Sequence, residues 1–148
     1  MAAADDCTVR ARMEGLAEAI EFVEAFCSDR GVAESDGLRL SLVLEELFTN
    51  TVVHGHGGGS DAPVRLGLRV DASHLELSYE DRGPPFDPLD HLARSPADPA
   101  AGPADRPIGH LGIPLIVNMA DRISYRREDG RNRIVLALRR QGAVDGPS

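Results

Sequence analysis

Residues 42–55, LVLEELFTNTVVHG, read as one helix that is apolar on most sides yet carries a line of polar groups. Glu46, Asn50 and His54 recur every fourth residue and therefore share one helical stripe. Leu42, Val43, Leu44, Leu47, Phe48, Val52 and Val53 surround them. A carboxylate and a carboxamide inside such a helix cost free energy unless something pairs with them. Two glycine-bearing segments follow, Asp81-Arg82-Gly83 and Gly109-His110-Leu111-Gly112. The three together outline a place for a nucleotide and its metal.

Each element of that outline has a chemical reading and a plainer one. The Asn50 oxygen can ligate a hard divalent ion, and magnesium lets waters and substrate phosphates complete its shell. Glu46, one turn earlier, can accept a proton from a hydroxyl attacking the same phosphates. The plainer reading leaves both groups solvated on an exposed helix edge. Asp81 ends a strand, where its carboxylate can accept a hydrogen bond from the exocyclic amine of adenine while Gly83 leaves room for the ring. Strand-ending Asp-x-Gly-Pro turns are also common for purely local reasons. Gly109 and Gly112, with His110 and Leu111 between them at a helix start, present unpaired amides and a positive dipole end to phosphate. A flexible hinge explains the same glycines. What favours the chemical readings is their order: helix, strand end, proline-rich segment, helix N-terminus.

Other residues carry less. His54 beside Gly55 reads as a helix-end histidine meeting the last carbonyls. His56, His74, His91 and His110 have no zinc-ligand spacing. The Arg126, Arg127, Arg131, Arg133 cluster reads as a solvated hairpin, with partner docking as the minority reading.

Composition narrows the class. With 148 residues, 42 % hydrophobic, and a mean hydropathy of −0.21, the chain suits one soluble domain. The domain is expected over residues 8–140, with residues 1–7 and 141–148 as flexible termini. A net charge of −8 argues against a nucleic-acid surface. No apolar run approaches the roughly 20 residues that span a bilayer, and the start, MAAADDCTVR, lacks a signal-peptide pattern. Cys7 and Cys27 are the only cysteines and show no ligand spacing, as expected of free thiols in a cytoplasmic protein. All 16 basic residues are arginine, which excludes a P-loop lysine.

Periodicity supplies the elements. Thr8–Met13 alternates as a half-buried strand. Glu14–Asp29 places Leu16, Ala19, Ile20, Val23, Phe26 and Cys27 on one helical face, with Gly31 as its C-terminal cap. Ser35 or Asp36 is expected to cap the second helix, which runs to Gly55. Val64–Val70 and Leu75–Tyr79 alternate around a turn at Asp71–Ser73 and read as a hairpin. Residues 84–107 hold most of the chain's ten prolines and read as a mobile lid. A third helix is expected from about His110 to Ala120, with Pro114 tolerated in its first turn. A last hairpin pairs Arg122–Arg127 with Arg131–Arg140 around Asp129-Gly130. The sum is an α+β, two-layer sandwich, three helices on one face of a mixed, mostly antiparallel sheet.

From about Thr8 to Arg140 the chain resembles the histidine-kinase-like (Bergerat-fold) ATPases, specifically the small anti-sigma-factor serine/threonine kinases of bacteria. LVLEELFTNTVVHG is similar to their N-box, YEDRGPPFDP to their adenine-binding box, and RPIGHLGIPLIVNMADRISYRREDGRNRIVLAL to their lid glycine box with the closing helix and hairpin. The resemblance implies ATP and Mg2+ as cofactors, Asn50 as the magnesium ligand and Glu46 as catalytic base. It also implies Asp81 on the adenine amine, Gly83 shaping its pocket, and Gly109 to Gly112 wrapping the phosphates. The implied activity is phosphorylation of a seryl residue on a small anti-sigma-factor antagonist of the STAS type. Implied partners are that antagonist, a sigma factor or other regulator, a serine phosphatase in the same pathway, and a second copy in a homodimer. Neither nucleic acid nor membrane is implied. His110 stands where the family usually has a second glycine. A side chain there either hinders lid closure or donates a hydrogen bond to phosphate. The rival reading is a partner-switch module that binds proteins without catalysing transfer.

Overall fold

The computed structural model describes residues 3–55, 59–85 and 120–141. In chain order these form β1 (Ala3–Arg10), α1 (Met13–Asp29), α2 (Glu34–Asn50), a π-helical turn (Thr51–Gly55), β2 (Pro63–Val70), β3 (His74–Asp81), β4 (Arg122–Glu128) and β5 (Arg131–Arg139). The strands make one sheet in the order β1-β2-β3-β5-β4. Every pairing among them is antiparallel, where the sequence pattern left room for a mixed sheet.

Alternation along the strands sends one set of side chains inward. Leu66 faces Tyr79, Tyr79 faces Ile134, and the same register aligns Leu68, Leu77 and Leu136 across three strands. These residues are buried together with Leu40, Val43, Leu44, Leu47 and Phe48 of α2 and with Ala19, Val23 and Phe26 of α1. Burial of each such leucine contributes about 2 kcal/mol. The opposite face carries Arg65, Arg69, Glu76 and Glu80 toward solvent, so the helices cover one side only.

Local chemistry ends the elements where the chain needs to turn. Gly31, at φ +67°, closes α1: its N–H donates to Ser28 O at 3.4 Å and Val32 N–H to Cys27 O at 2.9 Å. Asp71 Oδ1 accepts the N–H groups of Ser73 and His74, both at 2.8 Å, and makes the β2–β3 turn. These bonds hold the Asp71 carboxyl below its usual range. Asp129 and Gly130, at φ +52° and +75°, make the two-residue turn of the last hairpin.

Three expectations are corrected. The first strand covers Ala3–Arg10 rather than Thr8–Met13, because its partner β2 supplies hydrogen bonds from Ala3 to Arg10 and then ends. Residues 3–7 are therefore sheet, not a flexible terminus. Neither Ser35 nor Asp36 caps α2. Its N-cap is Ala33, which has no side-chain bond, and Asp36 lies buried within the first turn. The expected lid and third helix lie outside the described residues, apart from Pro84, Pro85 and Ala120.

Candidate functional site

The order β3-β5-β4 places the end of β3 beside the start of β5, so Asp81 pairs directly with Asn132. Asp81 continues the inward series Leu75, Leu77, Tyr79, and its carboxylate is therefore buried under the helix layer. Asn132 occupies the matching inward position ahead of Ile134, Leu136 and Leu138.

The two Asp81 oxygens are unequally held. Oδ1 accepts the Gly83 N–H at 2.8 Å and Asn132 Nδ2–H at 3.0 Å. Oδ2 has the Thr51 hydroxyl at 3.3 Å, a long bond. Thr51 has one proton to give, and its Oγ1 also lies 3.0 Å from Leu47 O. It sits 2.6 Å from the Tyr79 hydroxyl as well. Burial pushes the Tyr79 phenol well above its usual range, so Tyr79 keeps its proton, and either hydroxyl of the Thr51–Tyr79 pair can be the donor. Asp81 Oδ2 thus retains capacity for an N–H donor from a ligand.

A clamp on the far side holds the Asp81–Pro84 turn. Asn132 Nδ2 donates to Pro84 O at 2.7 Å and Gly83 O at 3.3 Å. Its Oδ1 accepts from Tyr125 OH at 2.6 Å and Arg127 Nη1 at 3.2 Å. Arg127 Nη1 also donates to Gly83 O at 2.7 Å. The arginine cluster is therefore not uniformly solvated: Arg127 is a structural tie to the turn, whereas Arg126 pairs with Glu128 at 3.0 Å on the exposed side.

A cavity of about 80 Å³ opens between these groups, walled by Leu47, Ile134 and Pro85 and lined by Asn50, Thr51, Asp81 and Gly83. Apolar walls around one recessed carboxylate suit a flat ring bearing an amine. Asn50 is buried, with 5 % of its surface exposed, and is one of the residues that line the cavity. Glu46 stands one turn away on α2, half-buried and outside the cavity lining. Burial, and then the neighbouring Glu45, raise its carboxyl above the usual range. Of the residues expected from sequence, Asn50, Asp81 and Gly83 meet at this cavity, and Glu46 flanks it. Gly109, His110, Leu111 and Gly112 lie outside the described residues.

Thr51, Tyr79, Asn132 and Arg127 were not singled out from sequence as site residues. Asn132 had a usable signal, a lone polar residue on the inward register of an apolar strand. Thr51 and Arg127 had none, because only the fold sets them against Asp81 and Gly83. A larger concavity of about 660 Å³ spreads over the polar face of the sheet beside Arg65, Gly67 and Ser78. It is lined by none of Asn50, Thr51, Asp81 and Asn132, and its Arg65 is paired with Asp6 at 3.4 Å. Among the described residues no group of three or more His, Cys, Asp or Glu could hold a metal by itself. An ion at Asn50 would need waters and phosphates to complete its shell.

The family model described as the histidine kinase-like ATPase domain matches residues 9–138. No curated protein matches the chain. Among solved structures, the RsbU and RsbW domains of Rv1364c from Mycobacterium tuberculosis superpose with a TM-score of 0.64 at 14 % identity, covering 93 % of this chain. The present chain spans only 32 % of that longer one. The SiaB–SiaC complex from Pseudomonas aeruginosa superposes with a TM-score of 0.57 at 18 % identity, over 91 % of this chain and 89 % of that one. At these identities the two structures establish a shared fold.

Proposed function

Because the chain belongs to the histidine kinase-like ATPase domain family, we propose that it is an ATP- and magnesium-dependent protein serine/threonine kinase acting as an anti-sigma factor in partner switching. The observation that carries this reading is the pairing of a buried carboxylate, Asp81, with a buried carboxamide, Asn50, on one apolar-walled cavity. Asp81 Oδ2 accepts the exocyclic amine of adenine, and Gly83 leaves room for the ring. Asn50 offers its oxygen to magnesium, which when bound neutralises phosphate charge. Gly109, His110, Leu111 and Gly112 are assigned to the phosphates.

Glu46 is the assigned base. The seryl hydroxyl of the substrate forms a bond to the γ-phosphorus, the bond from that phosphorus to the ADP oxygen breaks, and the hydroxyl proton passes to the Glu46 carboxylate. A carboxyl raised above its usual range by burial is a better base near neutral pH than a solvated one. The substrate class is a small anti-sigma-factor antagonist of the STAS type. The remaining partners are a sigma factor or other regulator, a serine phosphatase and a second copy of the chain. The fold shared with an RsbW domain that sits beside an RsbU domain, and with a protein solved in the SiaB–SiaC complex, supports this setting.

Transfer of radiolabelled γ-phosphate to a STAS-type antagonist tests the assignment. Glu46→Gln keeps ATP affinity and loses transfer by about 10²-fold or more. The wild-type rate falls as pH drops through the raised Glu46 pKa, where protonation removes the base, and the variant lacks that limb. Transfer unchanged in Glu46→Gln removes Glu46 from the mechanism. His110, standing in the glycine box, favours a second reading in which the chain binds partners without turnover. Absence of Mg-ATP binding by calorimetry supports that reading.

A further inference from the structure

The side of the helix layer turned away from the sheet carries a groove that the nucleotide reading leaves unused. It runs between α1 and α2, encloses about 550 Å³, and shares no lining residue with the Asp81 cavity. Ile20, Val23 and Cys27 of α1 form one wall, and Leu38 and Leu42 of α2 the other. Leu38 is 62 % exposed and Leu42 38 %, two of the four large apolar side chains left exposed among the described residues. They are four residues apart, so they stand in one line along α2.

A glycine on α2 keeps the groove wall thin. Gly37 lines it, and a Cβ there would meet Cys27 Sγ at 3.5 Å, an ordinary contact. Alanine would fit and would favour the helix by roughly 1 kcal/mol. Glycine instead leaves that space to an occupant.

The rim has one sign of charge. Glu24, Glu34 and Glu45 line the groove with no arginine among its lining residues. Helices α1 and α2 together carry nine acidic residues and a single basic one, Arg39. Arg39 is turned away from the groove to Asp36 at 2.9 Å and to Arg139 O at 2.5 Å. From Glu34 to Glu45 the groove runs along twelve residues of helix, a rise of about 16 Å, or three turns of an occupant lying alongside.

We propose that the groove between α1 and α2 is a docking surface for an amphipathic helix of about three turns on a partner protein, its apolar stripe seated between Ile20 and Leu38 and its basic flanks on Glu24, Glu34 and Glu45. An apolar seat within an acidic rim selects that partner in two ways: burial supplies affinity, and charge supplies discrimination and a faster encounter.

The test uses the full chain and a fluorescein-labelled helical peptide of about 14 residues with leucines on one face and arginines at its flanks. A matched peptide carries glutamate in place of each arginine. In fluorescence anisotropy the arginine peptide binds, and the glutamate peptide binds at least tenfold more weakly. Leu38→Glu, at an exposed position that keeps the thermal unfolding curve unchanged, weakens the arginine peptide at least tenfold. Paired Glu34→Gln and Glu45→Gln weaken it as well, whereas Glu128→Gln, on β4, does not. That contrast separates docking from attraction to the chain's overall negative charge. The proposal is overturned if the peptide fails to bind the wild type, if it binds Leu38→Glu equally well, or if Glu128→Gln weakens it as much as the rim pair. A homodimer that Leu38→Glu dissociates, with no peptide binding, would assign the groove to a second copy and overturn it too.

Discussion

Asp81 owes its geometry to Asn132. The asparagine gives one hydrogen bond to Asp81 Oδ1 and others to the carbonyls of Gly83 and Pro84, which holds the second carboxylate oxygen toward the cavity. A hydrogen bond to a charged group contributes about 1.5–3 kcal/mol. Replacing Asn132 by leucine removes those donors and leaves Arg127 and Tyr125 facing an apolar side chain. The expected result is ATP affinity lower by roughly ten- to a hundredfold by calorimetry. An unchanged dissociation constant would show that Asp81 needs no such support. The stripe Glu46-Asn50 was legible residue by residue, because polar side chains at helical spacing inside an apolar run announce themselves. Thr51 was not, since a threonine next to such an asparagine carries no periodic signal. Its hydroxyl acquires meaning only when Tyr79 and Asp81 arrive from β3.

At the level of elements, the junction between β1 and α1 leaves no room for a side chain. Gly15 opens α1 over the end of β1, and a Cβ there would meet the Arg10 carbonyl oxygen well inside van der Waals contact. A backbone oxygen cannot rotate away, so the elements themselves must separate. Gly15→Ala is therefore expected to cost about 1–3 kcal/mol, read as a lower urea midpoint at unchanged slope. Stability equal to wild type would mean that α1 shifts freely on the sheet. The hairpins and the ends of α1 followed from alternation and from Gly31, Asp71 and Asp129-Gly130, whose turn chemistry is local. The first strand did not. Its alternation runs on to Met13, whereas its length is set by how far β2 extends beside it. Likewise α2 passes into a π-helical turn at Thr51–Gly55, where the helix period alone continues uninterrupted.

Across the whole molecule, a buried clasp joins the start of the helix layer to the end of the sheet. Asp36, almost wholly buried, accepts the backbone N–H of Gln141 at 3.0 Å and pairs with Arg39, which reaches the Arg139 carbonyl. These bonds span about a hundred residues of sequence. Removing one partner of a buried pair leaves the other uncompensated, so Asp36→Ala is expected to lower unfolding stability by about 3 kcal/mol. Amide exchange at Gln141 should rise with it. A loss confined to local fraying at Gln141, with global stability intact, would reduce the clasp to a surface tie. No helix among the described residues is long and apolar enough to cross a membrane.

Sequence by itself determined the fold class, the inward faces of the strands and the polar line on α2, because each follows from periods of two or about 3.6 residues and from turn chemistry within a few positions. The tertiary structure decided what those polar groups meet. The crossing from β3 to β4 past β5 sets Asn132 against Asp81 and carries Arg127 to Gly83, and the packing of α1 on α2 leaves an acidic groove between them. Such meetings depend on strand order and on sequence separations that no local pattern encodes.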